Sequence, residues 1–220
     1  MSSERLNGHD RPQSNLKALS AALGLPTPDE AYLTAKDGAK LRYAHWQTEA
    51  AICQGVVLYL GGRTEFIEKT IDTYALLVES GFDLWSLDWR GQGLSARALA
   101  DPHKGHVTDY QTYLDDLDLF VREVTDLPAR RDKRLMLAHS MGGHIGLRFL
   151  HDHPGLIDAA VFSAPMIDIF VNNSLLRWLA YLIRGLGFGE RYLPGKGGYR
   201  PIYQNSADDR DNGTIEDYQR

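Results

Sequence analysis

The sequence predicts an α/β fold built on a mainly parallel sheet, and three observations carry that expectation. Short apolar runs rich in β-branched and aromatic residues alternate with segments of helical spacing. The connections between them are short. The run GVVLYLGG at 55–62 is apolar at consecutive positions, as a strand covered on both faces must be. Parallel neighbours need a crossover, which the intervening helices supply with a right-handed sense.

Each element follows in order. Residues 1–28 are polar, lack the continuous apolar core of a secretory signal, and read as a mobile leader with one short helix near Asn15–Leu23. AYLTAKDGAKLRYAHW alternates apolar and polar residues about Lys36-Asp37-Gly38, a hairpin signature. After the 55–62 strand, FIEKTIDTYALLVESG places Ile67, Ile71, Leu76 and Val78 at helical spacing and stops at Gly81. FDLWSLDW (82–89) is a strand, and DYQTYLDDLDLFVREV (109–124) is a helix with Tyr113, Leu117, Phe120 and Val121 on one face. RLMLAHS (134–140) is a strand, MGGHIGLRFLHDH a helix and DAAVFSAPM (158–166) another strand. There the rhythm ends. NNSLLRWLAYLIRGLGFG reads as one helix begun by Asn173 or Ser174 and ended by Gly185 or Gly187, and Gly, Pro, Asp and Asn dominate from there to Arg220. The organisation is therefore a leader (1–28), an α/β core (29–167) and a further segment (168–220).

Composition narrows the function classes. Hydrophobic residues make up 43% and charged residues 24%, the balance of an ordinary globular protein. Lys and Arg number 24 against 29 Asp and Glu, so no basic stripe favours a nucleic acid partner. Cys53 is the only cysteine, which excludes an intramolecular disulfide and fits a reducing compartment. No run approaches the roughly 18 apolar residues of a spanning helix. A cytoplasmic location is expected, with peripheral contact at the inner membrane left open.

The chemistry concentrates at Ala138-His139-Ser140-Met141-Gly142. This matches the small-x-Ser-x-Gly turn between a strand and a helix, with alanine in place of the first glycine. Small residues are needed because the serine backbone is strained and the helix passes close to the strand. The free N–H groups at the helix start suit a developing oxyanion. A tight βα turn with an incidental serine is the bland alternative. A second loop, Gly61-Gly62-Arg63, leaves backbone N–H groups beyond the end of its strand. Arg63 and Met141 therefore fit as oxyanion donors, although close packing alone also explains the glycines. Asp88-Trp89-Arg90-Gly91-Gln92-Gly93 turns at the carboxyl end of another strand, where Asp88 and Arg90 read as scaffold that braces neighbouring loops.

GGRTEF, LDWRGQGLSARALADPHKGHV and LAHSMGGHIGLRFL, in this order, resemble the lysophospholipase and monoacylglycerol-lipase (serine aminopeptidase-like) branch of the α/β-hydrolases. The likeness is nearest to bacterial lysophospholipases, whose elbow likewise begins with alanine. It implies the α/β-hydrolase fold, with Ser140 as nucleophile, Arg63 and Met141 N–H groups as oxyanion donors, and Ala138, Gly142, Gly61, Gly62, Asp88 and Arg90 supporting the site. It implies no cofactor or metal, and a lipid ester substrate. The segment from Asp168 would begin a helical cap. Leu175, Leu176, Leu179, Leu182 and Ile183 share one face there, beside Arg177 and Arg184. That face either lines an acyl pocket, touches lipid through Leu175, Leu179 and Leu182, or packs within its own cap.

The triad order of this fold is Ser, then Asp or Glu, then His. The eight histidines end at His153, so the carboxylate and histidine of the last two strands have no counterpart. His139 should point away from the site, His144 sits on a packing face, and His151 and His153 lie near a helix end. His103 and His106 lack a third metal ligand. The expectation is an N-terminal piece of a longer hydrolase, with the last two strands missing and the sixth left as an apolar edge. Such a chain should bind hydrophobic dyes and be nearly inactive, because losing one triad member costs about 10⁶ in kcat and leaves about 10³ over water. A binding module that has lost its base remains an alternative, as does another activity on this fold, such as peptidase, haloperoxidase or thioesterase.

Overall fold

The computed structural model describes residues 14–125, 132–168 and 174–192. Six strands form one sheet: β1 (Asp29–Thr34), β2 (Lys40–Trp46), β3 (Gly55–Leu60), β4 (Phe82–Leu87), β5 (Arg134–His139) and β6 (Ala159–Ser163). Among the described residues five α-helices accompany them: α1 (Leu16–Ala22), α2 (Ile71–Glu79), α3 (Gln111–Glu123), α4 (Ser140–Asp152) and α5 (Ser174–Gly185). The sheet order is β1-β2-β4-β3-β5-β6. Pairs β3–β4, β3–β5 and β5–β6 are parallel, and β1 and β2 add an antiparallel edge.

β3 is central, and all six of its residues are buried. The two-residue period of a strand divides them between layers. Val57 and Tyr59 join Trp46, Ile71, Tyr74, Val78 and Leu84 under α2. Val56, Leu58 and Leu60 face the opposite layer, against Leu117, Phe120, Ile145 and Phe149 of α3 and α4. The hairpin closes where Ala35 N donates to Ala39 O (2.8 Å), with Gly38 at φ +84°.

Two expectations need correction. Residues 14–28 are not a mobile leader: Leu16 and Ser20 are fully buried, Leu25 is 7% exposed, and Ser20 Oγ accepts the Trp46 indole N–H at 3.1 Å. Residues 1–13 lie outside the described residues. In α2, Leu76 is 67% exposed rather than part of the packed face. Residues Ile67–Thr70 form a separate 3₁₀ turn, yet Ile67, Ile71, Tyr74, Ala75 and Val78 keep helical spacing and are buried, and Leu76, five residues after Ile71 and two before Val78, falls off that stripe.

At the other edge, β6 is only partly covered, with Val161 63% exposed. Trp178, Tyr181 and Leu186, in and just after α5, are exposed by 60%, 69% and 62%, while Leu179 and Leu182 are about four-tenths exposed. The side chains of Leu175, Leu176 and Arg177 lie outside the described residues. Among the described residues no helix is long and apolar enough to cross a membrane.

One buried cation ties the sheet to the loops above it. Arg42 of β2 is wholly buried, and its guanidinium donates to Glu30 (2.7 Å), Glu68 (2.6 and 2.9 Å), Asp88 (3.2 Å) and Ser14 (2.9 Å). Burial pushes the Asp88 carboxyl above its ordinary value, the Arg42 guanidinium pulls it down, and Glu68 adds to the upward push. Removing the cation would leave the buried Glu68 and Asp88 carboxylates without a counter-charge, which costs about 3–5 kcal/mol. Arg42→Met is therefore expected to lower unfolding free energy by that amount in a denaturant titration. A loss below about 1 kcal/mol would show that the cluster does not carry the fold.

Candidate active site

β5 passes into α4 without a linking loop. His139 is still extended (φ −116°, ψ 139°), and the chain turns at Ser140, whose φ is +49°. That region is disfavoured for a residue bearing a Cβ and persists only where packing over-determines it. Three glycines of α4 provide that packing. A Cβ on Gly142 would lie 2.5 Å from Gly61 O and nearer still to Leu60 O. On Gly143 it would meet Pro165, and on Gly146 the Met136 sulfur, each at 2.8 Å. Ala138 is wholly buried at the end of β5. The turn is also tied from beyond β6, where Met166 N donates to Ser140 O at 2.9 Å.

The Gly61–Glu65 loop lies directly against this turn. A Cβ on Gly62 would be 3.1 Å from both Ser140 Cβ and His139 Nδ1. Side chains fix the shape of the loop, in which Thr64 has φ +63°. The Gln92 amide donates to Gly62 O at 3.1 Å and accepts from Thr64 N–H. Trp89 Nε1 donates to Gly61 O at 2.8 Å, and Gly62 N–H donates to Glu65 Oε2 at 2.5 Å. With the Gly62 carbonyl held by Gln92, the N–H of Arg63 in the same planar peptide faces the opposite way. The N–H of Met141, at the start of α4, is one of those without an acceptor inside its own helix. The structure thus brings Ser140, the Gly62–Arg63 peptide and the start of α4 together.

Asp88 and Arg90 hold the surrounding loops. Asp88 accepts from Ile67 N–H and Leu94 N–H, each at 2.9 Å, and a side chain at Gly93 (φ +48°) would overlap its carboxylate. Arg90 grips Asp116 with two hydrogen bonds (2.5 and 2.7 Å) and reaches Asp37 in the β1–β2 turn at 2.8 Å.

Among the described residues no imidazole is hydrogen-bonded to Ser140 Oγ. His144 Nδ1 is 3.0 Å from Met166 O, His151 meets Asp152, and His153 meets Asp118. His9 lies outside the described residues. His139 corrects the expectation that it points away: it stands at the rim of the site, with Nδ1 2.8 Å from Glu65 Oε1. His139 is still extended and paired with Ser163, so strand alternation sends its ring to the face opposite Ala138, where the Gly62–Glu65 loop lies.

Glu65 and Gln92 were missed as loop-shaping residues. The signals are present after the fact: Glu65 stands three residues beyond Gly62, within reach of its amide, and Gln92 lies between the two glycines of RGQG. Neither feature has a length or period that marks it in sequence. Among the described residues no three potential metal ligands converge.

A parallel sheet with a strained serine between strand and helix, backed by a glycine loop from the neighbouring strand, defines the α/β-hydrolase class. The family model described as Serine aminopeptidase, S33 matches residues 52–207, and the chain belongs to this lysophospholipase-like family of α/β-hydrolases. It is 39% identical to lysophospholipase L2 of Escherichia coli over 181 residues, covering 79% of this chain and 51% of that protein. It is 36% identical to a probable lysophospholipase L2 of Haemophilus influenzae over 174 residues, 78% of this chain and 54% of that one. A solved structure of a soluble variant of Saccharomyces cerevisiae monoglyceride lipase, in complex with a substrate analog, matches with TM-score 0.60 and 26% identity, covering 74% of this chain and 53% of that one. The chain spans about half the length of the curated relatives it matches.

The approach of α4 to β3 yields a direct test. Gly142→Ala is expected to destabilise by more than about 2 kcal/mol, since backbone carbonyls cannot move aside as side chains can. Gly185→Ala, where a Cβ meets nothing within 4 Å, serves as the control and should stay within about 0.5 kcal/mol. Equal melting of the two variants would refute the close contact.

Proposed function

We propose that this chain carries the nucleophile-bearing part of a serine carboxylic-ester hydrolase acting on lysophospholipids or monoacylglycerols. The observation that carries the proposal is the positive φ of Ser140 at a strand-to-helix junction, with the Gly62–Arg63 peptide packed beside it. The names of the relatives support the substrate class.

Ser140 Oγ attacks the acyl carbonyl, and the N–H groups of Arg63 and Met141 hold the negative oxygen that forms. The carbon–oxygen bond to the glycerol breaks, the alcohol leaves with a proton, and water then releases the fatty acid from Ser140. Strain at Ser140 serves this by holding the hydroxyl in one place before the ester arrives. None of these steps calls for a metal or cofactor. The proton acceptor and the carboxylate that orients it are not among the described residues. Residues 168–192 begin a cap, whose exposed Leu179 and Leu182 line the acyl path or rest peripherally on the cytoplasmic face of a membrane.

A second reading is a binding module that keeps the elbow without turnover. It draws on the engagement of the two histidines nearest the elbow elsewhere, His139 with Glu65 and His144 with Met166 O.

A chimera separates the two. It joins these residues to the portion of the Escherichia coli relative that follows the matched region. Lysophospholipid hydrolysis by the chimera should fall by about 10⁶ in kcat on Ser140→Ala. A chimera that melts cooperatively yet stays idle, or an alanine variant that stays active, overturns the hydrolase reading. The 220-residue chain alone should show no more than about 10³ over the uncatalysed rate.

A further inference from the structure

Arg63 contributes more than its peptide. Its side chain leaves the elbow loop and enters an open cleft of about 280 Å³, lined also by His103, Lys104, His106, Arg191 and Tyr192. Permanent positive charge gathers there on a chain whose formal net charge is −5. Elsewhere Arg42, Arg90, Arg122, Arg134 and Arg148 each meet a carboxylate. In the cleft, none of Arg63, Lys104 and Arg191 forms a salt bridge with a described residue. Arg63 donates to the Gly105 carbonyl at 3.3 Å. Lys104 donates to the Glu190 backbone carbonyl at 2.9 Å and stands 4.6 Å from the Tyr192 ring centroid, and Arg191 lies over Phe188. These contacts orient the cations without neutralising them.

Negative charge is scarcer. Among the described residues Glu190 is the one carboxylate residue lining the cleft. Asp101 is nearby: its oxygens accept the Tyr192 hydroxyl (2.7 Å) and the His103 N–H (3.0 Å), and Lys104 attracts its carboxylate from a distance. Among the described residues three permanent cations face Glu190 and the already engaged Asp101, an excess of positive charge that attracts an anion, and Arg and Lys together suit phosphate oxygens.

Position supplies the remaining step. Gly62 touches Ser140, and the next residue sends its side chain into the cleft. Arg63 thus joins the two places: its peptide lies beside Ser140 and its side chain lines the cleft. We infer that the cleft is an anion subsite for the phosphate of a glycerophospholipid head group, selecting lysophospholipid over neutral monoacylglycerol. This rests on the ester-hydrolase reading for the role of Ser140 but not for the binding itself.

Calorimetric titration of the 220-residue chain, with no turnover involved, tests it. sn-Glycerol 3-phosphate should bind saturably, inorganic phosphate at least tenfold more weakly and glycerol not at all. Rising salt should weaken the binding, as expected for solvent-exposed charges. The Lys104→Gln/Arg191→Gln variant should lose at least tenfold in affinity while its melting temperature stays unchanged. Equal binding of inorganic phosphate would overturn the head-group assignment, and absence of binding or an unaffected variant would overturn the site. The catalytic reading is judged separately. If the chimera hydrolyses both esters while glycerol 3-phosphate fails to bind, only the subsite falls; if the phosphate binds and Ser140→Ala remains active, only the nucleophile falls.

Discussion

The contact of Gly142 with the carbonyl oxygens of Leu60 and Gly61 constrains everything around the candidate site. It lets α4 start on top of β3, and that placement leaves a single residue in which to turn from strand to helix. Ser140 takes that turn at a backbone angle it would not choose in isolation. Gly143 against Pro165 and Gly146 against Met136 extend the same close approach along the helix, so the strain is held by a packed surface rather than by one atom.

Around this junction charge and amide groups hold the loops in addition to the apolar packing of Ile67 and Trp89. Arg42 gathers Glu30, Glu68 and Asp88, and Asp88 in turn accepts the N–H groups of Ile67 and Leu94. Gln92 then shapes the Gly62–Thr64 segment, and Glu65 bridges that segment to His139. Fixed polar networks of this kind rigidify because each member is left unsatisfied if another moves. The outcome is a stiff Gly62–Arg63 peptide beside a stiff serine, which is what pre-organised stabilisation of a developing oxyanion requires.

Much of this was legible from residue order alone. Periodicity revealed β3 as a doubly covered strand and α3 as a helix with Tyr113, Leu117, Phe120 and Val121 inward, because burial there follows local spacing. Leu76 broke the pattern because it lies five residues after Ile71 and two before Val78, off the stripe those residues define. The helix near Leu16 was visible, whereas its burial against Trp46 depends on a partner many residues away. The elbow was readable because steric need forces small residues into a short window. Glu65, Gln92 and Arg42 were not, because their value lies in long-range partners that spacing does not encode.

The proposal at the centre of this account is that Ser140 is the nucleophile and that its proton acceptor lies outside the described residues. Mass-spectrometric timing of fluorophosphonate attachment at Ser140 tests this most directly, comparing the 220-residue chain with the chimera at equal concentration. Rapid labelling of the chimera and slow labelling of the chain is the expected result. Equally rapid labelling of both would contradict the claim, because the chain would then hold its own base.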